Sequence, residues 1–374
     1  IQLAANQTRL FIDGLEIRDP GSHGIHINDG SFAEIRNAAI SGTGLHGIII
    51  EDDNTVTIVD TSISDTEEDG IRFSDDNIVW IGGVTIADAF HGIHLSSRNV
   101  ADIIDTVILD ANEDAIHAGA ENTRITIRGG RIERAIDNGL QIGSDQADLT
   151  IADLVIIDSG GHGMQIDSDT VVNISNVQVL GTALHGLYFE GSDTTVTLAD
   201  VTIEDTGEDG VHIEDDGNSV TMTNVAIART GEHGVHIRSE DNTVRITGGS
   251  FTDIGLDGDT EYDGVHVTEF NFVAITDTVF DTIDGNAIYV EPQIDPTLET
   301  ILQASGNTFR GTIGGHAFAF TGSGGTVLAG SDGNVDETNG ASLCNTSAAD
   351  SFTGTIRFTS GVTLKSDELP CHVD

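Results

Sequence analysis

Histidine is confined almost entirely to one recurring five-residue phrase. Of the 14 histidines in the 374-residue chain, thirteen lie in copies of this phrase and only His372 lies outside it. The copy at 233–237 reads HGVHI, with one imidazole before the glycine and another two positions after it. Because imidazole binds transition metals, transfers protons near neutral pH and both donates and accepts hydrogen bonds, the phrase marks the candidate functional residues.

These side chains form two sets that repeat in register along the chain. We call the position before the glycine the first stripe and the position two after it the second stripe. The first stripe reads His23, His46, Asp69, His91, Asp114, Asn138, His162, His185, Asp209, His233, Asp263, Asn286 and His316. The second-stripe histidines are His26, His94, His117, His212, His236 and His266. If each copy adds one layer to a stack, Asp209 and His233 are neighbouring rungs of one ladder.

A repeat of nearly constant length must position these side chains. The thirteen copies follow one another at intervals of 22 to 24 residues, apart from two intervals of 30. Each interval also contains two short alternating apolar patterns, as in TVTLADVTI at 195–203. Such alternation is typical of half-buried strands, and only TLETILQA at 297–304 predicts a helical turn. A unit of three short strands buries its apolar face only by stacking on the next unit.

In this phrase and its spacing, the sequence resembles the right-handed parallel β-helix proteins, the scaffold of the pectate-lyase-like superfamily. The resemblance covers residues 8–320 and implies an all-β solenoid of about 13–14 coils, with 22–24 residues and three short strands per coil. Successive coils would lie about 4.8 Å apart. The resemblance specifies the fold rather than the function, because lyases, hydrolases, epimerases, phage spikes and adhesins share this scaffold.

The composition limits the partners that the chain can bind directly. It has 62 Asp+Glu against 15 Lys+Arg, which gives a formal net charge of −47 at pH 7. This charge excludes nucleic acid and anionic membranes as direct partners and favours cations or a neutral or cationic glycan. A hydrophobic content of 38% permits an aliphatic core, and no apolar run approaches the roughly 18 residues of a membrane helix.

The outward face of the phrase is a candidate contact surface. The apolar residues on either side of the second stripe face inward, so the residue between them faces solvent. We expect the glycine to face outward too and to leave a shallow trough. The predicted binding trough consists of His91, His94, His162, His185, Asp209, His212, His233, His236, Asp263 and His266. The alternative is that the glycine relieves a sharp corner while first-stripe side chains bond the backbone of the neighbouring coil.

Asparagine recurs at another corner of the repeat. The residue two positions before the first inward apolar residue of a coil is Asn54, Asn77, Asn218, Asn242 or Asn271. The family resemblance implies a stacked asparagine ladder with hydrogen bonds along the stack. The alternative is that asparagine merely tolerates a left-handed turn conformation. Acidic runs beside these positions, such as EDDN at 51–54, would form an acidic ridge.

Two kinds of metal site are candidates. The insertion GLDGDTEYDG at 255–264 alternates oxygen donors, so Asp257, Asp259, Glu261 and Asp263 predict a calcium site. The insertion resembles the start of an EF-hand loop, although its glycines are misplaced and the terminal glutamate is missing. Histidine and aspartate in neighbouring coils would lie about 5 Å apart. That spacing suits zinc, copper or nickel at the stripes.

Catalysis along the trough is an open alternative. GGHGMQI at 160–166 resembles the G-H-G phrase of polygalacturonase-type hydrolases, but their N-T-D and R-I-K phrases are missing. The D-P-H phrase of mannuronan epimerases is also missing. Pectate-lyase chemistry needs a base beside calcium, and Arg72 is the one arginine in the outward stripe. A polysaccharide-active lyase, epimerase or hydrolase is therefore the alternative function, with its catalytic residues unassigned.

The two ends of the chain carry the remaining expectations. TRLFIDGLEI at 8–17 already has the strand pattern of a full coil, so we expect an open edge that pairs with neighbouring copies or further coils. Residues 1–320 are expected to form the β-helix, and 321–374 the terminal coils and closing region with a Cys344–Cys371 disulfide. A disulfide indicates an oxidising compartment, which predicts an extracellular or cell-surface protein of the bacterial secreted type; the alternative is two unpaired thiols in a cytosolic protein. The predicted function is an adhesion or filament-forming scaffold that is loaded with calcium and uses the trough as its contact surface.

Overall fold

The structure, a computed structural model, consists of strands and the turns that join them. It describes residues 1, 8–119, 121, 123–143, 147–256, 262–268, 270–291, 300–320, 325–338, 342–346, 352–353, 355–359 and 363–365. Two compact units are formed by Ile1–Ala183 and Leu184–Asp374. No helix occurs among the described residues, and therefore none of them belongs to a helix able to cross a membrane.

In the first unit, each coil contributes one strand to each of three parallel sheets. The first sheet contains Arg9–Asp13, Phe32–Arg36, Thr55–Val59, Ile78–Gly82, Val100–Ile104, Arg124–Arg128, Asp148–Ala152 and Val171–Ser175. The second contains Glu16–Arg18, Ala39–Thr43, Ser62–Thr66, Thr85–Ala87, Val107–Leu109, Arg131–Glu133, Val155–Ile157 and Gln178–Thr182. The third contains Ile25–Ile27, Ile48–Ile50, Ile71–Phe73, Ile93–Leu95, Ile116–Ala118, Leu140–Ile142 and Met164–Ile166.

The second unit repeats this arrangement. Its first sheet contains Thr195–Ala199, Ser219–Thr223, Thr243–Thr247, Phe272–Thr276, Thr300–Ser305, Gly325–Val327 and Phe352–Thr353. Its second contains Thr202–Thr206, Ala226–Thr230, Ser250–Ile254, Val279–Ile283, Thr308–Ile313 and Val335–Thr338. Its third contains Leu187–Phe189, Val211–Ile213, Val235–Ile237, Val265–Val267, Ile288–Val290, His316–Phe320 and Ser342–Thr346. Thr355–Arg357 and Thr363–Lys365 form a separate antiparallel pair.

The predicted fold class is confirmed in both units. Every copy of the histidine phrase supplies a third-sheet strand, and equivalent residues of successive coils pair directly, as Val211 does with Val235. The helical turn expected near 297–304 is wrong where the chain is described, because Thr300–Ser305 is a strand. Its Leu302 and Ala304 are buried on alternate positions, so a period of two overrides the local helical preference.

Aliphatic rows fill the interior, as the alternation predicts. Val196, Leu198, Val201 and Ile203 are each at most 1% exposed. In the second unit, aromatic rings also stack from coil to coil at the second sheet. The ring centroids of Phe251 and Phe280 lie 5.0 Å apart, and those of Phe280 and Phe309 lie 5.4 Å apart, with nearly parallel planes. Identical side chains at one register position therefore pack on one another.

The predicted asparagine ladder forms at the turn between the third sheet and the next first-sheet strand. In the first unit, the Asn54 N–H donates to Asn77 Oδ1 at 2.9 Å, and the Asn77 N–H donates to Asn99 Oδ1 at 3.0 Å. In the second unit, the Asn218 N–H donates to Asn242 Oδ1 at 2.8 Å. These asparagines are buried, so the ladder satisfies backbone donors that have no other access to water.

The left-handed conformations at this turn belong to other residues. Asp53, Asp76 and Asp241, each directly before a ladder asparagine, have φ of 59°, 58° and 56°. Aspartate is one of the few residues that adopt this conformation readily. The acidic runs thus supply the turn conformation, while the asparagines bind along the stack, and the alternative explanation of the asparagines is wrong.

The phrase glycine lies inside the corner between the second and third sheets, not on the surface. A Cβ at Gly210 would lie 2.4 Å from Ile227 Cγ2 and 2.7 Å from the Gly234 carbonyl oxygen. A Cβ at Gly47 would lie 2.5 Å from both Ile63 Cγ2 and the Gly70 carbonyl oxygen. The expectation that the glycine faces outward is therefore wrong. Glycine suits this corner because the strands approach closely there, and three copies accommodate nothing larger than the methyl group of Ala115, Ala287 or Ala317.

Candidate functional site

The first stripe is a ladder of buried side chains that bind backbone along the stack. In the second unit, the Asp209 N–H donates to His185 Nδ1 at 3.1 Å, and the His233 N–H donates to Asp209 Oδ1 at 2.8 Å. The Asp263 N–H then donates to His233 Nδ1 at 2.8 Å, and the Asn286 N–H to Asp263 Oδ1 at 2.7 Å. Asp209 and His233 are neighbouring rungs, as predicted. The backbone-bonding alternative is also confirmed for this stripe.

The first unit has the same ladder. The Asp69 N–H donates to His46 Nδ1 at 3.1 Å. The Asn138 N–H donates to Asp114 Oδ1 at 3.1 Å, and the His162 N–H donates to Asn138 Oδ1 at 2.8 Å. Histidine, aspartate and asparagine can replace one another here because each offers an acceptor atom at the same distance from its own backbone.

Three aspartate rungs use their other oxygen to hold a second-stripe histidine of the same coil, whereas Asp69 faces Arg72. His212 Nδ1 lies 2.6 Å from Asp209 Oδ2, and His266 Nδ1 lies 2.9 Å from Asp263 Oδ2. His117 Nδ1 lies 2.8 Å from Asp114 Oδ2. The two stripes are therefore one hydrogen-bonded network in which a buried carboxylate orients an imidazole that reaches the surface.

Glutamates that the sequence analysis did not single out complete this network. His46 Nε2 lies 2.9 Å from Glu68 Oε2, and His185 Nε2 lies 3.1 Å from Glu208 Oε2. Both glutamates stand directly before a first-stripe aspartate, so the recurring EDG triplet was the signal for them.

Two further glutamates bind second-stripe histidines of the second unit. His212 Nε2 lies 2.7 Å from Glu214, and His266 Nε2 lies 3.1 Å from Glu291. Both ring nitrogens of these histidines therefore face carboxylates. Burial opposes the charged imidazolium of His266, but its hydrogen bonds with Asp263 and Glu291 prevail and raise its pKa to about 9.

Other members of the network are held in fixed charge states. Burial lowers the pKa of His233 to about 3, with the neighbouring His266 charge acting in the same direction. Burial also lowers the pKa of His94 to about 4. Burial alone would raise the pKa of Asp209, but hydrogen bonds from His212 and His236 hold that pKa far below its usual range. In the second unit, the charged form of Asp209 and the neutral form of His233 are thus favoured on neighbouring rungs.

A cavity of about 530 Å³ opens on the stripes of the first unit. Its lining consists of His46, Glu67, Glu68, Asp69, Arg72, Phe90, His91 and His94. The Phe90 ring is 42% exposed and meets the His91 ring edge-on at a centroid distance of 4.7 Å. Arg72 Nη1 lies 3.4 Å from both Asp69 Oδ2 and His94 Nδ1. The sequence analysis had not singled out Phe90, which stands at the same register position as Glu68 and Glu208.

The second unit has a cavity of about 370 Å³ at the equivalent face of its own coils. It is lined by His233, Tyr262, Asp263, His266, Asn286, Tyr289 and Glu291. The Tyr262 ring meets His233 edge-on at 5.3 Å, and the Tyr289 ring lies 4.8 Å from His266. Aromatic rings, imidazoles and carboxylates therefore line a depression on the stripes of each unit.

The two cavities include part of the predicted trough. His91 and His94 line the first-unit cavity, and His233, Asp263 and His266 line the second-unit cavity. The other predicted trough residues, which line neither of these cavities, are His162, His185, Asp209, His212 and His236. Asp209 has no exposed surface, so its part in any contact is to position the imidazoles around it.

The predicted calcium loop and disulfide lie largely outside the described residues. Of the predicted calcium ligands, Asp257, Asp259 and Glu261 are not described. The fourth, Asp263, is buried and binds His266 and the Asn286 backbone. Cys371 also lies outside the described residues, and Cys344 is described only as part of a third-sheet strand.

Imidazole and carboxylate atoms come close enough in several places to hold a metal ion. Within the described residues, five groups have ligand atoms that lie within 4.8 Å of one another. They are Asp69–His91–His94, His91–Asp114–His117, His185–Asp209–His212, Asp209–His233–His236 and His233–Asp263–His266. Two imidazoles and one carboxylate form a donor set typical of zinc and related ions.

The stacked three-strand coils and the repeated corner residues define a parallel β-helix. The sequence matches the family described as the right handed beta helix region over residues 1–156, 46–199 and 162–355. The chain belongs to this family.

The chain is also similar to several solved structures at low sequence identity. The periplasmic alginate epimerase AlgG is 12% identical, with 89% of this chain and 77% of that chain covered and a TM-score of 0.45. An alginate lyase of family PL6 in complex with a trisaccharide is 10% identical, with 99% and 87% covered and a TM-score of 0.45. A GH87 α-1,3-glucanase from Streptomyces thermodiastaticus is 11% identical, with 92% and 63% covered and a TM-score of 0.38. Among curated proteins, none matches the sequence significantly.

Proposed function

We propose that the protein is a secreted or surface-displayed scaffold that binds a neutral or cationic glycan along its stripes, in an adhesive role. The observation that supports this most is the combination of aromatic rings with carboxylates and imidazoles in both cavities. Phe90 lines the first-unit cavity, and Tyr262 and Tyr289 line the second-unit cavity.

The aromatic rings suit the apolar faces of sugar rings. A flat ring that is partly exposed offers apolar area at little cost in conformational entropy. Beside Phe90, the carboxylates of Glu67 and Glu68 and the imidazole of His91 supply hydrogen-bond acceptors and donors for hydroxyl groups. Sugars present both kinds of surface, so the lining matches their chemistry.

Charge favours neutral or cationic sugars over acidic ones. The chain carries a formal net charge of −47, and the second-unit cavity includes Asp263 and Glu291. A polyanionic glycan would be repelled over long range, whereas an amino sugar would pair with the exposed carboxylate of Glu291.

The ladder beneath the cavities supports a rigid binding surface. Each imidazole that lines them is held by a buried rung or by the backbone of the next coil, as His266 is held by Asp263 and His233 by the Asp263 N–H. Side chains fixed in this way lose little further entropy when a ligand binds.

We also propose that calcium loads the scaffold at the insertion 255–264. Asp257, Asp259, Glu261 and Asp263 provide four carboxylates within seven residues, and oxygen-rich loops are what calcium prefers.

Polysaccharide cleavage or epimerisation at the first-unit cavity is the second candidate. The observation that favours it is Arg72, whose guanidinium lies 3.4 Å from Asp69 and from His94 inside that cavity. A cation beside an imidazole and carboxylates could stabilise negative charge that develops on a sugar.

The test is calorimetric titration of the whole chain with neutral, cationic and acidic oligosaccharides. We expect neutral or cationic oligosaccharides to bind and acidic ones not to bind. Phe90→Ala should weaken binding up to about 10-fold, the upper worth of one aromatic contact. Tyr289→Ala should weaken binding equally in the second unit. The fold accepts alanine at this register position, because Ala319 pairs with Tyr289 in the next coil.

Phe11→Ala is the matched control, because Phe11 is 64% exposed on a first-sheet strand away from the stripes. The affinity of Phe11→Ala for the oligosaccharides should equal that of the wild type. Equal affinities in all variants, or no binding of any oligosaccharide, would contradict the proposal. New reducing or unsaturated ends in the mixtures would instead support the second candidate.

A further inference from the structure

We propose that His91, Asp114 and His117 of the first unit form a binding site for one divalent transition-metal ion of the zinc class. The site shares His91 with the lining of the first-unit cavity, but metal binding is tested without any glycan. It uses the second-stripe His117 and two neighbouring first-stripe rungs, His91 and Asp114.

The three donor atoms already have nearly the spacing of a metal's ligands. Asp114 Oδ2 lies 2.8 Å from His117 Nδ1 and 3.9 Å from His91 Nε2. Ligands at the usual zinc bond lengths of about 2.0–2.2 Å in tetrahedral geometry are roughly 3.4 Å apart. The two distances lie on either side of that value, each about 0.5 Å away, and the three donor atoms all lie within 4.8 Å of one another, so modest side-chain shifts would complete the site.

Outer hydrogen bonds orient two of the three ligands. His91 Nδ1 lies 2.8 Å from Asp69 Oδ1, and a ring whose Nδ1 proton is held by a carboxylate presents an unprotonated Nε2 to a metal. Asp114 Oδ1 accepts two hydrogen bonds from Asn138, from its backbone N–H at 3.1 Å and from its side-chain amide at 3.0 Å. Asp114 Oδ2 is therefore left to face the two imidazoles.

The proton balance of binding is simple. The Nδ1–H of His117 that now faces Asp114 Oδ2 must leave Nδ1, because only a ring nitrogen with a free lone pair binds the ion. The proton moves to Nε2 of the same ring, and the imidazole remains neutral. His91 binds through Nε2 and keeps its Nδ1 proton on Asp69.

The three groups of the second unit within the described residues are less suited to a metal. In Asp209–His233–His236, the lone pair of His233 Nδ1 already accepts the Asp263 N–H at 2.8 Å. The other two groups contain His212 or His266. His212 faces Asp209 with one ring nitrogen and Glu214 with the other, and His266 is held in the same way by Asp263 and Glu291. A ring with a carboxylate at each nitrogen retains both protons and has no lone pair to offer.

In the first unit, the group Asp69–His91–His94 has a different disadvantage. Arg72 Nη1 lies 3.4 Å from both Asp69 and His94, so a second cation there would be repelled. Among the groups within the described residues, His91–Asp114–His117 combines free ring nitrogens with the absence of a bound arginine.

The ligands are also accessible to solvent. The His91 and His117 side chains are 12% and 23% exposed, whereas that of Asp114 is 4% exposed. A buried carboxylate anchors the ion, and the two imidazoles form the mouth of the site. Water would occupy the remaining position of a four-coordinate ion.

The test is titration of the purified whole chain with Zn²⁺ in high salt and excess calcium, which saturates sites that only oxygen donors form. We expect one tight Zn²⁺ site per chain. Co²⁺ in its place should give the visible absorption of a four-coordinate ion with nitrogen and oxygen ligands.

The chain itself supplies variants that preserve the fold. Asn138 occupies the rung after Asp114, and Gln141 pairs in register with His117. Asp114→Asn and His117→Gln should therefore fold normally, with unchanged far-ultraviolet circular dichroism. Each should weaken Zn²⁺ binding by at least about 100-fold, the upper range for loss of an outer-shell partner.

His26→Gln is the matched control, because His26 is a second-stripe histidine that binds Glu51 and belongs to none of the five metal groups. It should bind Zn²⁺ like the wild type. Full competition by calcium, or tight Zn²⁺ binding that survives in both Asp114→Asn and His117→Gln, would overturn the proposal.

Discussion

The aspartate rungs Asp114, Asp209 and Asp263 have two roles, one for each carboxylate oxygen. Oδ1 of Asp263 accepts the backbone N–H of Asn286 at 2.7 Å, and Oδ2 lies 2.9 Å from His266 Nδ1. One oxygen therefore stabilises the stack, and the other fixes an imidazole at the surface. Because an unpaired buried carboxylate is costly, the histidine and the aspartate depend on each other.

The charge of His266 predicts a pH dependence of the stability of the second unit. Its pKa is raised to about 9 by Asp263 and Glu291 despite burial, above the value of about 6.5 in an unfolded chain. A group whose pKa is raised by folding stabilises the folded state fully at pH values below its unfolded-state pKa. That stabilisation is lost as the pH rises through its folded-state pKa. The free energy of unfolding should therefore fall between pH 6.5 and 9 by up to about 3 kcal/mol.

The measurement is denaturant unfolding at a series of pH values, with His266→Gln beside the wild type. The variant should be less stable at pH 6.5 and should lose the decline between pH 6.5 and 9. If the free energy of unfolding declines equally in both proteins, the decline belongs to other groups, and the charge state given to His266 is contradicted.

At the scale of elements, each corner of a coil has its own residue chemistry. The turn into the first sheet uses a buried asparagine ladder preceded by residues such as Asp241 in a left-handed conformation. The corner into the third sheet uses the phrase glycine, where Gly210 lies against Ile227. These corners lie at fixed positions of the repeat, and equivalent strand residues of successive coils pair in register, as Val211 does with Val235.

Removing one asparagine rung should destabilise the second unit measurably. Asn242 Oδ1 accepts the Asn218 N–H at 2.8 Å, and the Asn242 side-chain amide donates to the Ser239 carbonyl at 3.0 Å. Asn242→Ala leaves the buried Asn218 N–H without its acceptor, which should lower the free energy of unfolding by about 1–3 kcal/mol.

Asn242→Thr is the comparison, because Thr194 occupies the rung position before Asn218. Its hydroxyl can still serve as an acceptor, so the loss should be smaller. Denaturant unfolding of both variants measures the difference. Equal stability of wild type and Asn242→Ala would show that the ladder does not support the stack.

The strands and rungs could be predicted from the sequence because both are periodic. Val211 and Val235, or Asp209 and His233, occupy one position in successive copies, and the structure pairs them. The glycine was assigned to the wrong face, because alternation along a strand does not extend into a corner. Gly210 faces Ile227, a residue of another sheet and another coil.

The cavities could not be predicted from the sequence, since their lining depends on contacts between residues of different coils. Phe90 and Glu68 occupy one register position of neighbouring coils and Arg72 occupies another, so the three residues meet only when coils stack. For the same reason, the sequence could not predict which imidazoles keep a ring nitrogen without a carboxylate partner. His117 and His212 occupy the same position of the phrase, yet only His212 has a glutamate at Nε2.

At the scale of the whole molecule, the net charge of −47 is the dominant property. Self-repulsion of this size destabilises a compact state unless cations bind or salt screens it. End-to-end pairing through the N-terminal edge stays a prediction, as does the Cys344–Cys371 disulfide.

Calcium should stabilise the protein beyond the effect of ionic strength. Ions that bind only the folded chain raise its stability by mass action, and Asp257, Asp259, Glu261 and Asp263 are the predicted ligands. The melting temperature, measured against calcium at fixed high salt, should rise in the wild type. It should rise less in the double variant Asp257→Asn, Asp259→Asn, and an equal rise would place the calcium site elsewhere.

The most direct test of the glycan-binding surface is a crystal structure of the protein soaked with an oligosaccharide that binds in the calorimetric titration. The account predicts sugar density in the first-unit cavity against Phe90, or in the second-unit cavity against Tyr262 and Tyr289, with hydroxyl groups near the stripe imidazoles and carboxylates. Density on the first or second sheet face, with both cavities empty, would contradict it.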